Sequence, residues 1–334
     1  MELWEGFNLQ SQSRIFSELS VGEIHELVNL HFGISENVEI SLLNSGLFNT
    51  TYKLDLHSLE RELILRVGPV NREYLLNYEQ NLMEAECYVY DLLSKNQIPC
   101  PVVLATDFSK RSIPRDYMIT QYIDSTPLSD ESLPNEAKCH IYEQAGKWTS
   151  EIHKISGPKF GRVSEILRGE GHDNWGQFLT AHISEIGEKS LFFKVLDRNI
   201  VNRITHVFEN IRDIFTSVTV PRLIHADLWA GNVLVHSSNN ANYELAAIID
   251  ADRAIFGDID LEFANPWMIN DSFLKGYGEY IDEPNRQLKL EAYKLIYSFI
   301  DTFVWKVQYQ NENEHENHKL QTIEILKSLE CRAL

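Results

Sequence analysis

The chain has 334 residues, 43% hydrophobic and 24% charged, which are proportions of an ordinary folded protein with enough length for two lobes or domains. No apolar run approaches the ~18 residues of a membrane-spanning helix, so a membrane partner is not expected. A formal net charge of -19 disfavours nucleic acid and favours cations, through a soluble acidic surface or an acidic pocket for a positively charged substrate.

Four cysteines, Cys87, Cys100, Cys139 and Cys331, lack CxxC spacing. That argues against a disulfide framework or zinc cluster and fits a reducing cytoplasm. The opening Met1-Glu-Leu-Trp-Glu has no signal-peptide pattern, so the expected location is cytoplasmic.

In chain order, residues 20–32 read as a helix with Ser20 as N-cap and Gly33 as its stop. Two alternating strands follow, one with Val38, Ile40 and Leu42 on a face, the other with Tyr52, Leu54 and Leu56. The turn-rich segment from Asn44 to Thr50 joins them as a hairpin. A third strand, Glu62 to Val67, ends at Gly68-Pro69. Residues 79–95 read as a helix whose stripe is Leu82, Met83, Val89, Tyr90 and Leu93, and Glu86 falls on that same stripe, where a carboxylate needs a partner. Strand-like runs at Val102–Ala105 and Tyr117–Ile123 lead into Asp124-Ser-Thr-Pro127, read as an inter-lobe linker.

The rest reads as mainly helical. Ile141, Tyr142, Ala145, Trp148 and Ile152 share one helix face; the run from Ala292 through Phe299 to Val307 makes another. A strand, a hairpin at 237–242 and a second strand interrupt it. The polar stretch Gln310–His318 reads as a solvated loop, although His315 and His318 have the spacing of a metal pair. Trp175, Trp267 and Trp305 read as core or as walls for a cationic ligand. The pattern is α+β: a small antiparallel β-sheet lobe over residues 1–123, then a larger mainly helical lobe over 124–334.

The chemistry concentrates in His225-Ala-Asp227-Leu-Trp-Ala-Gly-Asn232, followed by Ile249-Asp250-Ala-Asp252. Phosphoryl transfer needs a carboxylate facing the acceptor hydroxyl, with an amide and a second carboxylate to hold magnesium. Asp227, Asn232 and Asp250 supply that set beside short β-branched runs. Alone, each residue could as well be a turn or strand-end residue satisfying backbone groups.

This order of elements resembles the protein-kinase-like fold, and more closely the aminoglycoside phosphotransferase and choline kinase group of small-molecule kinases. The resemblance covers residues 38–270 and rests on the Gly46/Asn49 loop, Leu65-Arg66-Val67, Glu86, Ile119 to Ile123, the His225–Asn232 loop and Ile249-Asp250. The Asp227-Leu-Trp229 wording is also similar to that of fructosamine kinases.

The resemblance implies Asp227 as the residue that orients the hydroxyl and takes its proton, with Asn232 and Asp250 as magnesium ligands. His225 and Asp252 are implied as supporting residues; a catalytic His225 and a metal-binding Asp252 both stay open. On the nucleotide side it implies Ser45, Gly46, Asn49 and Thr50 over the phosphates, through backbone N–H groups and the hydroxyls of Ser45 and Thr50. Arg66 stands where protein kinases carry lysine, with Glu86 as its partner. Gln121, Tyr122 and Ile123 align with the segment that reads the base through its backbone, leaving ATP and GTP both open. The absence of GxxxxGK[ST] argues against a P-loop enzyme. In Gly257-Asp258-Ile-Asp260-Leu-Glu262, Glu262 replaces the family's usual aspartate, and the segment is expected to tie the Asp227 loop to the next helix.

The implied activity is MgATP-dependent phosphorylation of a hydroxyl on a small molecule. The acidic balance favours an amine-bearing acceptor: an aminoglycoside, choline or ethanolamine, a fructosamine, or an amino alcohol such as homoserine. Asp271, Glu279, Asp282, Glu283 and Asp301 are candidate wall residues. The alternative reading is a pseudokinase that binds nucleotide without chemistry.

Overall fold

The structure is a computed structural model, and it describes residues 13–34, 38–43, 48–237, 242–278 and 285–332. The expected turn residues Ser45 and Gly46, and the acidic residues Glu279, Asp282 and Glu283, lie outside the described residues. The chain folds as two compact units, one of Met1–Leu75, Pro101–Ile123 and Val307–Asn311, the other of Leu76–Cys100, Asp124–Lys306 and Glu312–Leu334.

The first unit opens with helix α1 (Val21–Phe32), and its boundaries follow from capping chemistry. The Ser20 hydroxyl accepts from the Glu23 N–H while the Glu23 carboxylate accepts from the Ser20 N–H at 2.8 Å. At the other end Gly33 turns left-handed at φ 70, as a glycine can at no steric cost. Strands β1 (Val38–Leu43), β2 (Thr50–Leu56), β3 (Arg61–Val67), β4 (Val103–Asp107) and β5 (Tyr117–Gln121) form an antiparallel sheet in the order β1-β2-β3-β5-β4.

Period-two alternation turns Tyr52, Leu54 and Leu56 of β2 and Leu63, Leu65 and Val67 of β3 to one face. That face packs against Ile24, Leu27 and Val28 of α1 in a single hydrophobic cluster. The alternation also buries Thr50, whose hydroxyl donates to the Ser17 carbonyl at 2.9 Å and accepts from Arg115 Nη2 at 3.1 Å. This corrects the expectation that the Thr50 hydroxyl covers phosphates: it faces the interior and its bonds are committed.

In the second unit the 79–95 segment divides. Asn77–Asn81 is a 3-10 turn and helix α2 begins at Leu82, running to Lys95. Its stripe is buried as expected, Glu86 included. The Asp124–Pro127 linker is partly strand: β6 (Thr126–Pro127) joins β9 (Val233–Ser237) and β10 (Tyr243–Ile248) in a sheet of order β10-β9-β6. A second three-stranded sheet, β7-β11-β8, joins Gly161–Arg162, Ile255–Gly257 and Arg222–Ile224.

Helices surround these sheets: α3 (Asn135–Ile152), α4 (Val163–Leu167), α5 (Trp175–Phe192), α6 (Arg198–Asn210), α7 (Asp260–Ala264), α8 (Asp271–Tyr277), α9 (Arg286–Phe303) and α10 (Glu312–Arg332). Helix α10 overturns the loop expected at 310–318. Its inner face is sparse, only His315, Thr322, Leu326 and Leu329 being buried, so the apolar period was too weak to read. Buried His315 Nδ1 lies 3.2 Å from the Thr302 carbonyl of α9. Among the described residues no helix is long and apolar enough to cross a membrane.

Candidate active site

The loop between β8 and β9 carries Asp227 and is held from three sides within the second unit. Glu262 of α7, itself buried, accepts the N–H of His225 at 2.7 Å and the N–H of Ala226 at 3.2 Å. Those bonds hold Ala226 left-handed at φ 64, a conformation that costs a residue with a Cβ. His225 Nε2 lies 2.9 Å from the Ile249 carbonyl, and the Asp227 N–H donates to His225 Nδ1 at 3.3 Å. The ring therefore joins the loop to the end of β10, and its nitrogens are occupied by that task rather than turned to a substrate.

Asn232 Nδ2 donates to the Asp227 carbonyl at 2.9 Å, and its own carbonyl accepts the Ile249 N–H at 2.9 Å. The exposed Trp229 ring lies over Gly231, its nearest atom 2.2 Å from where a Cβ would stand, so a side chain there would displace the indole.

Burial raises Glu262, but the His153 ring, 3.7 Å away, and the His225 ring and N–H outweigh it and hold the carboxyl below its ordinary pKa. A carboxylate held in its charged form at neutral pH thus faces the two loop N–H groups. Asp258 accepts from Lys289 Nζ at 2.9 Å and from the Tyr293 hydroxyl at 2.7 Å, and Asp260 pairs with Lys289 at 2.8 Å and Arg286 at 3.0 Å. The expected tie between the loop and the next helix is therefore made by ion pairs to α9, with Glu262 as its near end.

Asp227 itself is partly exposed, yet desolvation pushes its pKa up to about 7. Arg253 opposes the rise, while the carboxylates of Asp250, Glu262 and Asp301 add to it. Arg253 is held charged: burial works against its charge, but Tyr78, Glu79, Asp252 and Asp227 prevail. Its Nη1 donates to the Tyr78 hydroxyl at 3.2 Å and lies 3.5 Å from Glu79 Oε1. Desolvation also raises Asp301, to about 6, against the pull of His318, whose Nδ1 is 3.5 Å away, and Arg253.

Asp250 stands at φ 62, and the turn Ala251–Arg253 brings Asp252 back beside it. One ligand atom from each of Glu86, Asp250 and Asp252 lies within 4.8 Å of the other two. A relay fixes two of them: the Asp250 N–H donates to the Tyr90 hydroxyl at 2.9 Å, which donates to Glu86 Oε1 at 2.5 Å. These are hard oxygen donors of the kind magnesium takes, and with Asn232 Nδ2 tied to Asp227, the amide oxygen is the atom Asn232 has for a cation. Glu86, anticipated only as the partner of Arg66, thus gathers with the acidic pair at 250 and 252.

In the first unit Arg66 lies on β3, opposite Met118 of β5, and Asn49 is buried just before β2. The N–H groups of Gln121 and Tyr122 donate to the carbonyls of Val102 and Glu62 at 3.0 and 3.1 Å. Base reading by backbone there narrows to their carbonyls and to Ile123.

The model of the phosphotransferase enzyme family, APH, matches residues 39–287. The chain belongs to that family. As a phosphotransferase it is a small-molecule kinase with the family's protein-kinase-like fold. No curated protein sequence matches it. Solved structures similar to the phosphotransferase include a protein assigned as a fructosamine-3-kinase from Thermobifida fusca YX-ER1, with TM-score 0.67 and 16% identity over 93% of this chain and 99% of that one. An ethanolamine kinase of Plasmodium vivax gives 0.65 and 14% over 95% and 93%. A thermostable mutant of aminoglycoside phosphotransferase APH(4)-Ia, in a ternary complex with AMP-PNP and hygromycin B, gives 0.61 and 20% over 92% and 98%.

Sequence reasoning passed over Arg253, Glu79 and the bridging role of Tyr90 in this phosphotransferase, and expected of Glu262 only that its segment ties the loop to the next helix.

Proposed function

We propose that this phosphotransferase moves the γ-phosphoryl group of MgATP to a hydroxyl of a small, amine-bearing molecule. The observation that carries the reading is Asp227: a carboxyl whose pKa is near 7, on a loop braced by Glu262, His225 and Asn232, and acted on by Asp250, which gathers with Glu86 and Asp252. In the proposed step the acceptor oxygen bonds to the γ-phosphorus, the bond from that phosphorus to the β–γ bridging oxygen breaks, ADP leaves, and the hydroxyl proton passes to the Asp227 carboxylate. A base whose pKa lies near the working pH is still ionised in a substantial fraction of molecules and is basic enough to accept that proton.

Asn232 and Asp250 hold the magnesium, with Asp252 supporting, and the ion supplies neutralisation of the phosphate charge. Arg66, Asn49 and the backbone from Ser45 to Thr50 receive the phosphates, and the strand end Gln121–Ile123 meets the base. GTP is accommodated by the same backbone chemistry.

Asp301 supports an amine on the acceptor. It is a half-buried carboxylate whose charge is felt at Asp227, and His318, its partner, stacks on Trp305 with ring centroids 6.2 Å apart. Exposed Trp229, two residues from Asp227, offers a face to a cation.

Isothermal titration with MgATP and an ATP-coupled screen of amine-bearing alcohols test the reading. Nucleotide is expected to bind only with a divalent ion, and Asp227→Ala is expected to lower transfer by about a thousandfold or more while binding persists. Asp301→Asn is expected to raise KM for the amine-bearing acceptor with kcat little changed. Failure of MgATP to bind, or full transfer by Asp227→Ala, defeats the reading.

A further inference from the structure

Away from the Asp227 loop, the second unit holds a cluster that phosphoryl transfer does not use. His182 and Glu185 lie three residues apart on α5 and so share a face. Glu165 of α4 completes the group, and one ligand atom from each of the three residues lies within 4.8 Å of the other two.

The imidazole is the telling member. His182 is 3% exposed, and neither ring nitrogen has a hydrogen-bond partner among the described residues. Phe178 stacks on the ring with centroids 5.2 Å apart, and Tyr78 packs against it at 5.3 Å. A buried imidazole with both nitrogens idle is costly unless something takes its lone pair. Burial, with the Arg162 charge nearby, holds the ring neutral, which is the form that ligates a metal.

We propose that His182, Glu185 and Glu165 form a structural site for a divalent transition cation of the zinc type. Two carboxylates and a neutral imidazole balance a charge of +2. One nitrogen with two oxygens suits zinc, cobalt or manganese better than magnesium, which prefers oxygen alone. Ligand atoms around such an ion stand about 3.4 Å apart in a tetrahedron, so the cluster contracts on binding. The two glutamates are half-buried, which leaves a route in from solvent.

Both carboxylates are already oriented by backbone. Glu165 Oε2 accepts the Arg162 N–H at 3.2 Å, and Glu185 Oε1 accepts the Asn77 N–H at 2.7 Å. Arg162 and Arg168, each three residues from Glu165, are engaged by other groups: Arg162 Nη1 donates to the Arg253 carbonyl at 2.8 Å and its guanidinium lies 4.5 Å over the Tyr78 ring, and Arg168 pairs with Glu170 at 2.7 Å. Arg162 and His182 also line one small cavity with Trp175, Phe178 and Tyr297. Through Asn77 the ion fastens α4 and α5 to the turn that leads directly into the Glu86 helix.

The test is titration of the chelator-stripped full-length chain with Co2+ and then Zn2+, without nucleotide and with excess Mg2+, in both the wild type and Asp250→Asn. The expected result is one equivalent of Co2+ with visible d–d absorption, displaced by Zn2+, retained in Asp250→Asn, and accompanied by a rise in Tm. Glu185→Gln keeps an acceptor for the Asn77 N–H, so its metal-free melt is expected to match the parent while its affinity falls at least tenfold. Absence of saturable Co2+ and Zn2+ binding, its loss in Asp250→Asn, or unchanged affinity in Glu185→Gln overturns the site. None of these readouts depends on phosphoryl transfer.

Discussion

Asp227 carries its proton to a pH at which an aspartate in water has long lost it. The cause is desolvation first, then the neighbouring carboxylates, with Arg253 only partly offsetting them. A folded-state pKa near 7 against an ordinary value of 3.8 gives a stability contribution that is fully present below about pH 3.8 and lost as pH rises through about 7. Asp227→Asn removes that titration. Its Tm is expected to exceed that of the wild type at pH 8, by the equivalent of about 1–2 kcal/mol after allowance for the carboxylate's partial exposure, and the gap is expected to close as pH falls toward 4. Thermal melts across that range check it; a gap independent of pH refutes it. Asp227, Asn232 and Asp250 could be singled out as candidates because spacing and flanking strands are written in the sequence. The acidity of Asp227 was not legible, because Asp301 and Arg253 reach it through space.

The Asp227 loop depends on an element 35 residues further along. Glu262 on α7 takes two N–H groups of the loop, and Asp258 and Asp260 anchor the start of that segment to Lys289 and Arg286 of α9. Glu262→Ala leaves both N–H groups buried without an acceptor and releases Ala226 from its left-handed turn. The expected cost is about 2–4 kcal/mol by chemical denaturation, together with loss of transfer, and Glu262→Gln, which keeps an acceptor oxygen, is expected to recover part of both. A variant as stable and as active as the wild type removes Glu262 from this role. Helix α1 shows why some elements were read to the residue: Ser20, Glu23 and Gly33 carry their own boundary chemistry. Helix α10 shows the opposite case, since its packing on α9 uses His315 and Thr322, which no apolar period announces.

Over the whole molecule the net charge of -19 acts at a distance on any charged acceptor. For an amine-bearing acceptor, kcat/KM is expected to fall several-fold between about 50 and 500 mM NaCl, where the Debye length drops to a few ångströms, while an uncharged acceptor alcohol shows little change. Equal salt dependence for both indicates that the acidic surface serves solubility alone.

The sequence by itself determined the α+β order of elements and the buried faces of the first sheet, and it singled out Asp227, Asn232 and Asp250 as the set to test. Each of these is written in local period, capping or short spacing. The tertiary structure alone decided that Glu86 meets Asp250 and Asp252, that the Thr50 hydroxyl turns inward to Arg115, that Glu262 holds the Asp227 loop, and that His182 faces two glutamates. Apart from His182 and Glu185, three residues apart on one helix, those pairings join residues from 17 to 166 positions apart. Chain periodicity reports which face of an element is buried, and only packing reports what that face meets.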